Sequence, residues 1–437
     1  MTTFRKIFLG AFMALCLSVS LQAQSPQSHQ STTLEAAAPR SVGLSTTQLA
    51  NIDALFEEYI DKGFIPGGVV MVGRKGKIAY YKSFGNSNIK KEIPYKKDDI
   101  FRIASMTKAL TTTAVLKLYE QGKFLLDDPI ATYIPAFANT EVMTSFDEKE
   151  GTYETEPLES PISIRHLLTH TSGIPYPFGD PAKTIYKQVD ADKFGLSHKD
   201  ASTEEMANKI AALPLMHQPG EKWTYGHSVD VLGYLVEVVS GQTLGEYLAE
   251  HVFQPLGMKD TYFYLPEDKQ DRLIPVYGEL DKVGLRKMPD MLYNYPTYGR
   301  DDYFAGGGGL SSTAMDYAIF CQMMLNMGEY NGKRILSRKT IELMTTDQLA
   351  LMGIDTGGLF GGDGSSFCLG YALSTKSSLA SVHGSEGAFS WGGIFNTKYW
   401  IDPQEEMFMV TMAQMLPFYH QEFWEKLNTI IYSSIDD

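Results

Sequence analysis

Positive charge is scarce in this 437-residue chain: 38 lysines and arginines stand against 52 aspartates and glutamates, a formal charge of −14. No run of Lys or Arg occurs, so the electrostatic footprint of a nucleic-acid binder is missing, and an anionic membrane surface should repel the chain. Long apolar runs are nearly absent too. The one candidate, Ile7 to about Leu21, falls short of the roughly 20 residues that span a bilayer. Cysteine is rare, with Cys16, Cys321 and Cys368 alone. No G-x-S-x-G elbow exists, which argues against an α/β-hydrolase. H-E-x-x-H is missing as well. His166 and His170 in "RHLLTHTSG" have helical zinc spacing, but Leu follows the first and no third ligand suggests itself. No metal site is expected.

The start, "MTTFRKIFLGAFMALCLSVSLQAQS", reads as a secretory leader. Two basic residues precede the apolar stretch, and small Ala23 marks a cleavage edge. Residues 1–23 are therefore expected to be removed on export to the periplasm or the medium. Losing Arg5 and Lys6 takes the charge from −14 to −16. Cys16 leaves with the leader. Of the two remaining thiols, Cys321 sits in the helical "AMDYAIFCQMML" and reads as a buried free thiol rather than half of a disulfide.

Residues 24–43 begin with the polar "QSPQSHQSTT" and lack a hydrophobic period, which predicts a flexible lead-in. "STTQLANIDALFEEYIDKG" predicts a helix capped by Ser45, lined by Leu49, Ile52, Leu55 and Phe56, and stopped at Gly63. "GGVVMVGRKGKIAYYKSFG" predicts a hairpin around a Lys-Gly turn. From about 100 to 300 the chain reads as helix and loop. Beyond it, "STAMDYAIFCQMMLNMG" predicts an amphipathic helix; β-rich "LGYAL", "GAFSWGGIFNTKYWID" and "EMFMVTMAQ" follow, then a closing helix in "HQEFWEKLNTIIYSSI". Strands at both ends with helices between them predict a mixed α/β fold: one antiparallel sheet built from both termini, flanked by helices, plus a helical part. The expected boundaries within 44–437 are an α/β part at about 44–104 and 305–437, and a helical part at about 105–304.

Ser-x-x-Lys occurs twice. Ser87 and Lys90 lie in an Asn-rich stretch just after a strand, which reads as a solvated loop. Ser105 and Lys108 instead open an apolar helix running to Gly122. There the hydroxyl and the amine share a face, and the helix N-terminus favours developing negative charge. Tyr225 precedes another apolar helix, where a phenol beside a serine and a lysine could shuttle protons. Trp391-Gly392-Gly393 interrupts a strand with two glycines, which usually marks close approach of another group. "AGGGGLSST" (305–313) lacks the lysine of a phosphate loop and reads as a tight backbone passage. Taken singly, each of these has an ordinary structural explanation.

In order and rough spacing, "SMTK", "YGH" and "WGG" resemble the Ser-x-x-Lys, Tyr-x-Asn and Lys-Thr-Gly motifs of serine β-lactamases and penicillin-binding proteins. The flanks "LLTHTSGIPY", "QPGEKWTYGHSVDVLGYLVEVVSG" and "FQPLGMKDTYF" resemble the class C branch and its esterase-like relatives. The resemblance spans about residue 45 to the C-terminus. It implies a β-lactamase/transpeptidase-like fold, Ser105 as acylated nucleophile, and Lys108 with Tyr225 as proton-handling pair. It also implies an oxyanion hole from the N–H groups of Ser105 and Ile394, and substrate contacts at His227, Trp391, Gly392 and Gly393. No cofactor is implied. Trp391 replaces the lysine that usually holds a substrate carboxylate, so a small neutral ester or amide is the expected partner. A β-lactamase or D-amino-acid peptidase acting on cell-wall fragments, and a non-catalytic penicillin-sensor-like module, are the alternatives.

Overall fold

The computed structural model describes residues 33–437, apart from 192–195, 197–200, 281–283, 290–294, 298, 356–358 and 360–362. The expected leader and the start of the lead-in lie outside the described residues. So does part of the glycine-rich stretch at 357–367.

Among the described residues the main sheet has nine strands, eight of them in one continuous path: β1 (Glu35–Ala36), β2 (Gly67–Arg74), β3 (Lys77–Asn88), β4 (Ser366–Phe367), β5 (Ala372–Leu373), β6 (Phe389–Gly393), β7 (Thr397–Asp402) and β8 (Met407–Met412). Their order is β1-β3-β2-β8-β7-β6-β5-β4, antiparallel except for β1 on β3, with Ile93–Pro94 added at the end of β3. The two ends of the chain meet at β2 and β8, where Val70 faces Thr411 and Arg74 faces Met407. The expected antiparallel sheet built from both termini is therefore present. Lys75 and Gly76 both take positive φ (50° and 75°), which suits the twist of the two-residue turn between β2 and β3.

Every residue of β2 is buried, because layers cover both faces of the sheet. Successive side chains point to opposite sides. Val70 and Val72 join Ile52, Leu55 and Phe56 of α1 (Asn51–Asp61) and Phe423 and Leu427 of the closing helix (Glu422–Tyr432). Val69 and Met71 join the larger core on the other side, with α2 (Thr107–Glu120), α3 (Ser228–Ser240) and α4 (Ala314–Leu325). Among the described residues no helix is long and apolar enough to cross a membrane.

Four expectations need correction. Residues 35–42, assigned to the flexible lead-in, form β1 and a 3-10 turn (Pro39–Val42); Val42 is buried, and pairing with β3 supplies order that a local hydrophobic period does not. The helix at 314–325 is buried nearly all round rather than amphipathic, including Asp316 and Gln322, because it packs beneath the sheet inside the main core. The stretch read as helix and loop contains two hairpins, Glu141–Asp147 with Thr152–Pro157 and Tyr277–Leu280 with Gly284–Lys287. The first is mostly exposed and rich in Glu, so no apolar alternation announces it. Finally, Ser87 lies in β3, buried, its hydroxyl donating to the Ile93 carbonyl (3.2 Å).

Candidate active site

The chain reaches Ser105 through a tight elbow. Strand Phe101–Arg102 pairs with Ser311–Ser312, and a 3-10 turn (Ala104–Met106) then leads into α2. Ala104 has φ +41°, a region an L-residue occupies only when its surroundings hold it there. Those surroundings are explicit. Ile103 N–H donates to the Leu310 carbonyl, Leu310 N–H to the Thr107 hydroxyl, and the Tyr317 hydroxyl to the Met106 carbonyl.

Ser105 Oγ accepts hydrogen bonds from Tyr225 OH (2.7 Å) and Lys108 Nζ (3.1 Å). Lys108, only 1% exposed, also donates to Tyr176 OH (2.9 Å) and to the Gly307 carbonyl (2.6 Å). Ser105, Tyr176 and Gly307 thus give the Lys108 nitrogen three hydrogen-bond partners. The 305–313 stretch is the tight passage its sequence suggested. A side chain at Gly306 would meet the Val229 carbonyl, and one at Gly307 would lie 2.5 Å from Asp230.

Tyr176, in "SGIPY", went unrecognised as a site residue. Its signal lay in a neighbour: a Cβ at Gly226, between Tyr225 and His227, would overlap the Ile174 carbonyl. The two tyrosine-bearing segments can touch only because residue 226 is glycine, and Tyr176 N–H donates to the Tyr225 carbonyl. Burial, with the Asp230 carboxylate adding to it, pushes the Tyr176 phenol well above its ordinary range. It stays a neutral hydroxyl. His166 closes a helix cap with Ser163, whereas His170 packs against Trp223, Tyr225 and Phe367. Burial, then the nearby Lys108 charge, holds the His170 imidazole well below its usual range and thus neutral.

Trp391, Gly392 and Gly393 occupy β6, which runs past the elbow. A Cβ on Gly393 would collide with the Ile103 carbonyl, so glycine permits the close approach. Together with Ser105, Tyr176, Phe178, Leu196, Tyr225, Gly307 and Ile394 they line a cavity of about 310 Å³. The Trp391 indole N–H donates to Tyr225 OH (3.2 Å), so toward the cavity this residue presents mainly its apolar face. His227 does not line the cavity. It is buried, with Nδ1 2.9 Å from Asp230 Oδ2 and its ring between Tyr176 and Tyr186. The substrate contact expected of it is corrected: its short reach to Asp230 turns it away. Cys321 and Cys368 are both free and buried.

The Beta-lactamase family matches residues 52–423. This chain belongs to that family. It is 33% identical over 376 residues to Protein Rv1367c of Mycobacterium tuberculosis, covering 83% of this chain and 89% of that one. It is 30% identical over 377 residues to the lovastatin esterase of Penicillium rubens, covering 82% and 90%. Among solved structures it resembles simvastatin synthase from Aspergillus terreus, with a TM-score of 0.74, 25% identity and coverage of 88% and 98%. The fold is that of the serine β-lactamases and penicillin-binding proteins, and the protein is a serine hydrolase of the family's esterase- and acyltransferase-like branch.

Proposed function

We propose that this enzyme cleaves small, neutral acyl esters through an acyl-enzyme on Ser105. One observation carries the reading. The Ser105 hydroxyl, within hydrogen-bond reach of Tyr225 and Lys108, opens into a small cavity whose described lining includes no Lys or Arg. At about 310 Å³ the cavity is at the lower end of ligand pockets, about 300–1,000 Å³. Phe178, Leu196, Trp391 and Ile394 make much of the wall apolar.

In the proposed sequence the Ser105 proton passes to the Lys108–Tyr225 pair in the form that carries one proton fewer than an ammonium beside a neutral phenol. Oγ then attacks the ester carbonyl carbon. The oxyanion is held by the N–H groups of Ser105 and Ile394. The pair returns the proton to the departing alkoxide, and water, activated by the same pair, releases the acid. An alcohol taking the place of water would give acyl transfer. The leader at residues 1–23 supports export before the enzyme acts.

Incubation with p-nitrophenyl esters of graded chain length, beside a chromogenic β-lactam and with intact-mass detection, tests this. Turnover of short esters, a transient adduct on Ser105 and little lactam hydrolysis are expected. Ser105→Ala should abolish turnover, and Ser87→Ala should retain it. Fast lactam hydrolysis would shift the assignment to cell-wall substrates, and a folded enzyme with neither adduct nor turnover would point to a binding module.

A further inference from the structure

Lys108 needs a fixed partner on the side away from Ser105, and the second motif supplies it indirectly. His227 is the third residue of the second motif, yet it turns from the cavity to Asp230, Nδ1 to Oδ2 at 2.9 Å. The other carboxylate oxygen, Oδ1, accepts the Gly307 N–H at 2.9 Å. The carbonyl of that same glycine receives Lys108 Nζ at 2.6 Å, the shortest of the three lysine bonds. His227 is 2% exposed, and the Asp230 side chain is 10% exposed. A Cβ at 307 would lie 2.5 Å from Asp230 Oδ2, so any larger residue there would push the carboxylate aside.

We propose that His227 and Asp230 are positioning residues: acting through both backbone groups of Gly307, they fix the carbonyl that orients Lys108 toward Ser105. Neither residue touches substrate. Three features support the relay. A buried carboxylate without donors is costly, and here the Gly307 N–H satisfies one oxygen and His227 the other. His227 is clamped in turn, stacked on Tyr186 (5.5 Å, 19°) and edge-on to Tyr176 (4.4 Å). Finally, Asp230 lies in the first turn of α3, a rigid element, so the carbonyl it places inherits that rigidity.

The inference rests on Ser105 being the nucleophile, and the test separates the two claims. The rate of Ser105 labelling by an alkyl fluorophosphonate is measured by mass, alongside kcat and KM for p-nitrophenyl acetate and the melting temperature. Asp230→Ala frees Gly307 and should slow labelling and kcat by about 30-fold, with KM changed by no more than about threefold; misplacement of a reacting group by about 1 Å can cost on the order of a hundredfold. Asp230→Asn, which can still accept from Gly307 and donate to His227, should recover to within about threefold of wild type. His227→Phe keeps the packing between the two tyrosines but loses the bond to Asp230. It should fall between the two, and it guards against poor folding of the alanine variant. Labelling of Asp230→Ala at the wild-type rate would overturn the relay and leave the nucleophile intact. An Asp230→Asn variant as slow as Asp230→Ala would assign the effect to charge and overturn the hydrogen-bond relay. Wild type that is never labelled on Ser105 removes the nucleophile and the relay with it.

Discussion

Gly393→Ala is the most informative single change. The new Cβ would sit 3.1 Å from the Ile103 carbonyl carbon and closer still to its oxygen. Comfortable carbon contacts lie at about 3.5–4.0 Å, so β6 and the elbow must part by roughly 1 Å. Thr397, paired with Gly393 across the hairpin and also against the new methyl, blocks retreat on the other side. Overpacking of this kind costs about 1–3 kcal/mol of stability. The catalytic effect should be larger, because the Ile394 N–H proposed for the oxyanion follows directly. Loss of one such donor costs on the order of 100- to 1,000-fold in kcat. Gly392→Ala is the control. Its Cβ would meet the Thr397 carbonyl oxygen at 3.1 Å and the flexible Lys398 Cγ at 3.3 Å, so small adjustments suffice and kcat should fall less than about tenfold. Ester turnover and thermal unfolding are measured on both variants. If Gly393→Ala keeps kcat within threefold of wild type, the close approach of β6 to the elbow does not serve the oxyanion, and the assignment of Ile394 fails.

Tyr176→Phe removes one acceptor of the buried lysine and should lower kcat by roughly tenfold, the scale on which a hydrogen bond to a charged group acts, with a near-unchanged KM; a wild-type kcat would make Tyr176 a wall residue only. Lys398 lies over the Trp424 ring, and burial lowers its amine from 10.5 to about 8. Between about pH 8 and 10.5 the unfolded chain therefore binds more protons at this site, and stability rises with pH across that window. The melting temperature of wild type minus that of Lys398→Met should climb from pH 8 to pH 10, and a flat difference would show that the amine is solvated. Cys321 and Cys368 should resist a thiol reagent in the folded protein and both react in denaturant, since burial pushes both thiols up; one fast native thiol would contradict the packing around it.

Several elements were legible from residue order because their causes are local. The hairpin at 67–88 follows from β-branched runs around Lys75-Gly76, and α2 from an apolar stretch ended by Gly122, whose φ is +68°. The three motifs were legible because their residue types and order resemble those of the serine β-lactamases and penicillin-binding proteins, and that resemblance implied a shared pocket. The acidic hairpin at 141–157 was not legible, since Val142 is its one fully buried residue and a single apolar contact imposes no period.

By itself the sequence determined the sheet from both termini; its motifs' resemblance to a known family named the candidate trio Ser105, Lys108 and Tyr225, and Trp391 where that resemblance implies a carboxylate-binding lysine. Only the tertiary structure decided what the trio rests on. Tyr176 reaches Lys108 across 68 residues of chain and Gly307 across 199, and the Trp391 N–H turns to Tyr225 instead of the cavity. His227 turns to Asp230 for the same reason. A hydrogen-bond donor takes the nearest acceptor that packing leaves within about 3 Å, and which acceptor that is depends on elements that meet only after the chain has folded.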